Sequence, residues 1–244
     1  MMKYLVNAMQ YKRLFSLIAW LIIGITAVLP LSAQNEAQQK PYTYLAIGNS
    51  ITHHPQCEYW WSEAGMAATS PGNDYFHLVA DYLAEKHELT YTMAINFVEW
   101  ETEAGDKANT YPIIDFYLNE DVDLITLQLS ENAAMNSDFR KNYTDLVRYI
   151  RTQCPKAKVI LVDDFWSKDK SAAKKKVATA LGLPFADLSK IRGKEEYRAA
   201  VNDMVFGMDG SIHFIDREDV AQHPNDKGMK AIADAIIKQI KKLK

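Results

Sequence analysis

The 244-residue chain has little cysteine, two residues in all, and no excess of base, with 28 Lys and Arg against 31 Asp and Glu. Two thiols cannot build the stapled framework of a small secreted domain. A formal charge of −3 offers no general attraction for a phosphate backbone, which excludes a nucleic-acid partner. Glycine (10) and proline (8) are also sparse, with no internal repeat and no Gly/Ser linker, so collagen-like and disordered classes are excluded too. What remains is 48% hydrophobic and 24% charged, enough for a full-sized core in one domain.

Long charge-free runs are equally scarce. Residues 14–31 (LFSLIAWLIIGITAVLPL) form one, preceded by Lys12 and Arg13 and followed by Ser32-Ala33. A basic head, an apolar run and a small residue at the boundary are the parts of a signal peptide, so residues 1–33 are expected to direct export to the periplasm or beyond. An uncleaved anchor is the alternative, since 18 apolar residues nearly span a bilayer. Pro30 and Ser32-Ala33 favour cleavage, which leaves no stable membrane association. Taking 33 residues from 244 leaves 211, and losing Lys3, Lys12 and Arg13 leaves 25 basic against 31 acidic side chains, a net −6. Residues 34–41 read as a linker and 42–244 as one acidic domain.

From position 42 onward apolar strand-like runs alternate with amphipathic helical stretches. Strands are expected at 42–47, 90–97, 124–129, 158–163 and 184–188. Helices are expected at about 74–86, 111–119, 137–153, 171–181 and from Asn225 to near 242. Near-continuous apolar strands separated by helices imply a parallel sheet covered on both faces, hence a three-layer α/β/α, flavodoxin-like, doubly wound fold of about five strands. Its active crevice belongs beyond the carboxyl ends of the strands. Residues 192–222 are the least regular and read as loops with a short helix.

At that rim lies Gly48-Asn49-Ser50-Ile51-Thr52. A serine on such a turn attacks only if a neighbouring base takes its proton; otherwise Gly-x-Ser is an ordinary turn. Thr52 stands where the α/β-hydrolase elbow has its second glycine, which argues against that fold. Of the six histidines, His77 and His87 read as packing or solvated. His53 and His54 are adjacent, so their side chains diverge, and no spaced ligand set surrounds them; no metal and no organic cofactor is expected. His223, in His223-Pro224-Asn225-Asp226, precedes a helix that Asn225 can cap, and is either a rim base or a packed loop histidine. Ser130-Glu131-Asn132 ends the third strand with an amide that serves as an oxyanion donor or simply forms the turn.

Together these blocks resemble the SGNH (GDSL-like) hydrolase family, in a bacterial secreted branch. The family's Gly-Asp-Ser-hydrophobic-Thr corresponds to residues 48–52, its Gly-x-Asn to 130–132, and its histidine block to 223–225. The stretch 62–78 (SEAGMAATSPGNDYFHL) is similar as well. The resemblance implies a serine esterase in which Ser50 is the nucleophile, His223 the general base, and the Ser50 N–H with the Asn132 amide the oxyanion donors. Two positions depart from the pattern. The triad acid belongs three residues before the histidine, where Val220 stands; Asp219 is the candidate in its place, Asp216 a remoter one, and a carbonyl-oriented Ser-His dyad the alternative. The glycine that supplies a second oxyanion N–H after strand two is missing, leaving Asn96 or its neighbours.

Trp60, Trp61, Trp100 and Trp166 lie near strand ends, where indoles stack on sugars or anchor loops. An exported esterase with such a rim points to O-deacetylation of a carbohydrate, with a small-molecule or polysaccharide ester as the partner. Acyl transfer, lipid or thioester hydrolysis, and a non-catalytic glycan-binding module are the alternatives. Lysines at 168–176 and 238–244 read as solvated helix faces. Cys57 and Cys154 are placed at opposite ends of the sheet and are expected to stay unbonded.

Overall fold

Residues alternate in direction along a strand, so a strand buried on both faces needs apolar side chains at every position. Tyr44, Leu45, Ala46 and Ile47 meet that need, and all four are fully buried. The computed structural model describes residues 40–103 and 105–243. The expected signal segment 1–33 and nearly all of the 34–41 linker lie outside the described residues.

Five parallel strands form the sheet: β1 (Tyr42–Gly48), β2 (Thr90–Asn96), β3 (Leu124–Gln128), β4 (Lys158–Val162) and β5 (Phe185–Ala186). Their order is β2-β1-β3-β4-β5, with Gly48 facing Asn96 on one side and Gln128 on the other. On one face pack α1 (Tyr75–Ala84) and α7 (Asp226–Ile240), which bury Tyr75, Val79, Met229 and Ile232 against Tyr44 and Ala46. On the other lie α2 (Val98–Thr102), α3 (Lys107–Asp115), α4 (Phe139–Gln153) and α5 (Lys168–Leu181), which bury Trp100, Ile114, Tyr143, Val147 and Val177 against Leu45 and Ile47. This is the three-layer, doubly wound arrangement expected. Among the described residues no helix is long and apolar enough to cross a membrane.

Caps fix the helix starts. The Asp74 carboxylate accepts from the His77 N–H, and the Asn225 side chain accepts from the Gly228 N–H. Helix α3 begins four residues before the expected 111–119, because Asp106 caps it and Pro112 falls inside the helix rather than at its start. The segment expected to be irregular holds a hairpin, β6 (Met204–Phe206) with β7 (Ile212–Phe214), followed by the one-turn α6 (Glu218–Ala221). Its Asp209-Gly210 turn, with Gly210 at φ +79°, is the signal that locates it. The lysine reading is corrected at two positions. Lys170 and Lys174 are buried, their ammonium groups donating to the carbonyls of Ser130, Glu131 and Leu129. Cys57 and Cys154 are both free thiols.

Gly48 closes β1 at a place with no room for a side chain. A Cβ there would lie 1.8 Å from Thr52 Oγ1 and 2.4 Å from the Gln128 carbonyl oxygen. One neighbour is backbone, so the clash cannot be relieved by a rotamer change. Gly48→Ala is expected to destabilise the protein by about 2–4 kcal/mol. Thermal unfolding followed by circular dichroism checks this, and an unchanged midpoint would show that the turn has slack.

Candidate active site

The turn after β1 is held from below by Asn49, which is fully buried. Its Nδ2 donates to Glu101 Oε1 at 2.9 Å and to Glu131 Oε2 at 3.0 Å, and its Oδ1 accepts from the Ile51 N–H. The Asn49 carbonyl accepts from the amides of Thr52 and His53, which tightens the turn and lifts Ser50 to the rim. Thr52 is anchored to the Tyr75 hydroxyl and to Gln128.

Ser50 Oγ lies 2.8 Å from His223 Nε2. The ring is almost fully enclosed, and its Nδ1–H donates to the carbonyls of Asp219 (2.9 Å) and Val220 (3.1 Å). A carbonyl can only accept, so Nδ1 carries the proton and Nε2 is left as the acceptor for the serine hydroxyl. Trp166 meets the imidazole edge-on at 5.3 Å. Burial drives the basicity of His223 down to about 4, against the opposing pull of the two carbonyls.

The acid reading is corrected. The Asp219 carboxylate is turned out to solvent in a two-bond pair with Arg217 (2.9 and 2.6 Å), and only its backbone carbonyl reaches His223. A residue on a one-turn helix four places before the histidine presents its carbonyl, not its side chain, to the ring. Asp216 is exposed.

At the end of β3, Ser130 occupies the family's glycine position and adopts φ +132°. That strained backbone is held by three bonds: its N–H to Glu101 (2.5 Å), its Oγ to Asp164 (2.9 Å), and its carbonyl from Lys170 (2.9 Å). Asn132 follows at the rim, with Nδ2 donating to Glu101 Oε2 at 2.5 Å. At the end of β2 the backbone donors are already used. The Phe97 N–H bonds the Gly48 carbonyl and the Val98 N–H bonds Asn96 Oδ1, while the Asn96 Nδ2 has no protein acceptor among the described residues.

Ser50, His223, Asn132, Asn96 and Trp166 thus line one open cleft of about 370 Å³, together with His54, Tyr59, Met66, Val98 and Gln222. Three tryptophan readings are corrected. Trp60 and Trp100 are fully buried, the first beside Met66 and Val205 and the second in the main core, so neither reaches a ligand. Trp61 stacks on His213 at 4.2 Å, outside the cleft. Sequence reasoning missed Glu131 as a buried support and His54 and Gln222 as cleft residues. For the support a signal existed: an Asn in place of the family's Asp calls for acceptors beneath it.

No family profile matches the chain, and no curated protein sequence does. Solved structures do resemble it. One is a two-domain esterase active on acetylated mannans, crystallised with mannopentaose, at 16% identity and TM-score 0.54, covering 83% of this chain and 49% of that one. This chain therefore spans about half the length of that esterase. Another is a psychrotrophic esterase from Pseudoalteromonas sp. inhibited by monoethylphosphonate, at 17% identity and TM-score 0.51, covering 82% and 97%. A third, classed as a GDSL-like lipase, comes from Parabacteroides merdae, at 12% identity and TM-score 0.50, covering 82% and 95%. The chain has the SGNH hydrolase fold.

Glu131 supplies a test of the buried support. Burial first, then the nearby Asp164 and Glu101 charges, raise its pKa to about 8, partly offset by Lys174. A carboxyl with a raised folded-state value stabilises the protein below its unfolded value and loses that contribution as pH rises through the folded one. The thermal midpoint is therefore expected to fall between about pH 5 and 8, by roughly 3–6 °C. Glu131→Gln is expected to flatten this slope in differential scanning calorimetry; an equal slope in both proteins would remove Glu131 as its source.

Proposed function

We propose that the protein is a serine ester hydrolase of SGNH type that works through a Ser50–His223 dyad, is exported by residues 1–33, and removes acetyl groups from a carbohydrate. The 2.8 Å contact of Ser50 Oγ with the unprotonated Nε2 of His223, inside an open cleft, carries the hydrolytic reading. It also argues against a glycan-binding module that has lost its chemistry.

Ser50 Oγ attacks the ester carbonyl carbon while its proton passes to His223 Nε2. The carbonyl π electrons move to oxygen. When the tetrahedral intermediate collapses, the C–O bond to the alcohol breaks and the Nε2 proton goes to the departing alkoxide. Water then repeats the sequence on the acyl-serine, releasing the acid and restoring Ser50. The oxyanion is met by the Ser50 N–H, by the second hydrogen of Asn132 Nδ2 that Glu101 leaves unused, and by Asn96 Nδ2 in the role of the family's missing glycine.

Two features support a carbohydrate ester. Trp166 commits its indole N–H to the Gln222 carbonyl and so keeps its ring on the cleft wall, and the mannan-active esterase shares the fold. A cleft of about 370 Å³ suits an acetyl group and one ring better than a long acyl chain.

Hydrolysis of p-nitrophenyl acetate tests the proposal. Ser50→Ala and His223→Ala should fall to background, and Asn96→Ala and Asn132→Ala should each lose about 10²–10³ in kcat. Asp219→Ala should lose less than about tenfold, since its carbonyl remains. Because His223 must be unprotonated to act, kcat/KM should decline on the acid side only as pH drops toward about 4. A wild-type rate no higher than that of Ser50→Ala would sink the hydrolase reading.

A further inference from the structure

The cleft of the catalytic pair also holds a histidine that the proposed chemistry does not use. His54 lines the same cleft as Ser50 and His223. Its backbone is fixed in a two-residue bridge with Ala64, where its N–H donates to the Ala64 carbonyl at 2.9 Å. Its ring stands 6.1 Å from that of Tyr59, which is in turn covered by the Arg217 guanidinium at 4.1 Å. The backbone that carries the imidazole is therefore fixed at the cleft.

Its protonation pattern follows from its one ring bond. Nδ1 lies 2.7 Å from the Pro55 carbonyl oxygen, which accepts and never donates, so Nδ1 carries hydrogen. In the neutral ring Nε2 is then an acceptor, and among the described residues it has no protein partner. Water satisfies such an acceptor in an open cleft, and a ligand that displaces this water keeps the bond only by bringing a donor of its own. Ester carbonyls, ether oxygens and acyl chains bring none. A free hydroxyl on the alcohol portion does.

We infer that His54 Nε2 forms a hydroxyl-binding subsite that selects esters whose alcohol portion carries a free O–H near the acyloxy group, within the one cleft that His54 shares with Ser50. Partially acetylated sugars have that group; fully acetylated sugars and triacylglycerols do not. The inference rests on the ester-hydrolase reading and narrows its substrate. A neutral hydrogen bond at a half-open site corresponds to roughly a tenfold preference, far below the discrimination of a fully enclosed one.

The test uses two soluble probes that differ in one hydroxyl, 2-hydroxycyclohexyl acetate and cyclohexyl acetate. The measured quantity is the ratio of their kcat/KM values in the wild type and in His54→Phe, which keeps a ring beside Tyr59 but has no nitrogen. Comparing the ratio between enzymes cancels the intrinsic reactivity of the two esters. The wild-type ratio is expected to exceed that of His54→Phe about tenfold. His54→Gln, which keeps an acceptor, is expected to recover part of the preference. Equal ratios in wild type and His54→Phe would overturn the subsite while leaving the hydrolase reading intact. If p-nitrophenyl acetate is cleaved no faster by wild type than by Ser50→Ala, the hydrolase reading fails and takes the subsite with it.

Discussion

Two acidic side chains buried under the rim, Glu101 and Glu131, constrain everything above them. A buried carboxyl costs several kcal/mol unless donors surround it, so each of these dictates its neighbours. Glu101 is satisfied by Asn49, by the Ser130 N–H and by Asn132. Glu131 is satisfied by Asn49, Gln128 and the Phe165 N–H. Those partners come from the ends of β1, β3 and β4, and Glu101 itself stands just past β2. Four strand ends are thereby tied together through two acids. The same geometry explains Asn49 where the family pattern has Asp: a third acid about 3 Å from two others offers no N–H to them, whereas an amide N–H₂ serves both.

Such an arrangement is a poor way to gain stability, because apolar packing of the same volume does as well or better. What it provides is position. Ser130 is kept at a φ that a non-glycine residue rarely adopts, and Lys170 and Lys174 bring their ammonium groups to the carbonyls of the same loop. With its backbone, hydroxyl and carbonyl all bonded, this segment has few alternative conformations, so the Asn132 amide stays at the rim. These buried polar groups are placed where reacting atoms would need fixed dipoles.

How much of this was legible in the sequence depends on the range of the interaction concerned. Strand–helix alternation is local, and the five strands fell close to their expected positions because β1, β3 and β4 are apolar at successive residues. The serine, asparagine and histidine blocks were readable because each ends or precedes one element. Long-range choices were not readable. Trp60 and Trp100 look like neighbours of the rim, yet burial of their large side chains places them in the core. Lys170 and Lys174 share a helix with exposed lysines, and only the loop that α5 packs against makes them donors to carbonyls. Distance along the chain from His223 points to Asp219, but the one-turn helix α6 sets which part of the residue faces the ring, and it is the carbonyl. Apart from its Asp209-Gly210 turn the hairpin carries little signal, because Met204, Phe206, Ile212 and Phe214 lie on its outer face and it lacks the polar alternation of a surface strand.

On the proposed reading, the two departures from the family pattern are connected. A carboxylate behind the histidine stabilises the imidazolium that forms as serine attacks. Two carbonyl dipoles do so less strongly, and burial lowers the ring's basicity further, to about 4. The proton is then less readily held in the transition state, and more of the stabilisation must come from the other developing charge, on the carbonyl oxygen. Side-chain amides at Asn96 and Asn132, one turned by the Val98 N–H and the other by Glu101, supply donors there with their orientation already fixed. The two departures therefore bear on one another: losing the acid weakens the base, and the asparagine keeps, in place of the glycine N–H, a donor of fixed orientation where the remaining charge accumulates.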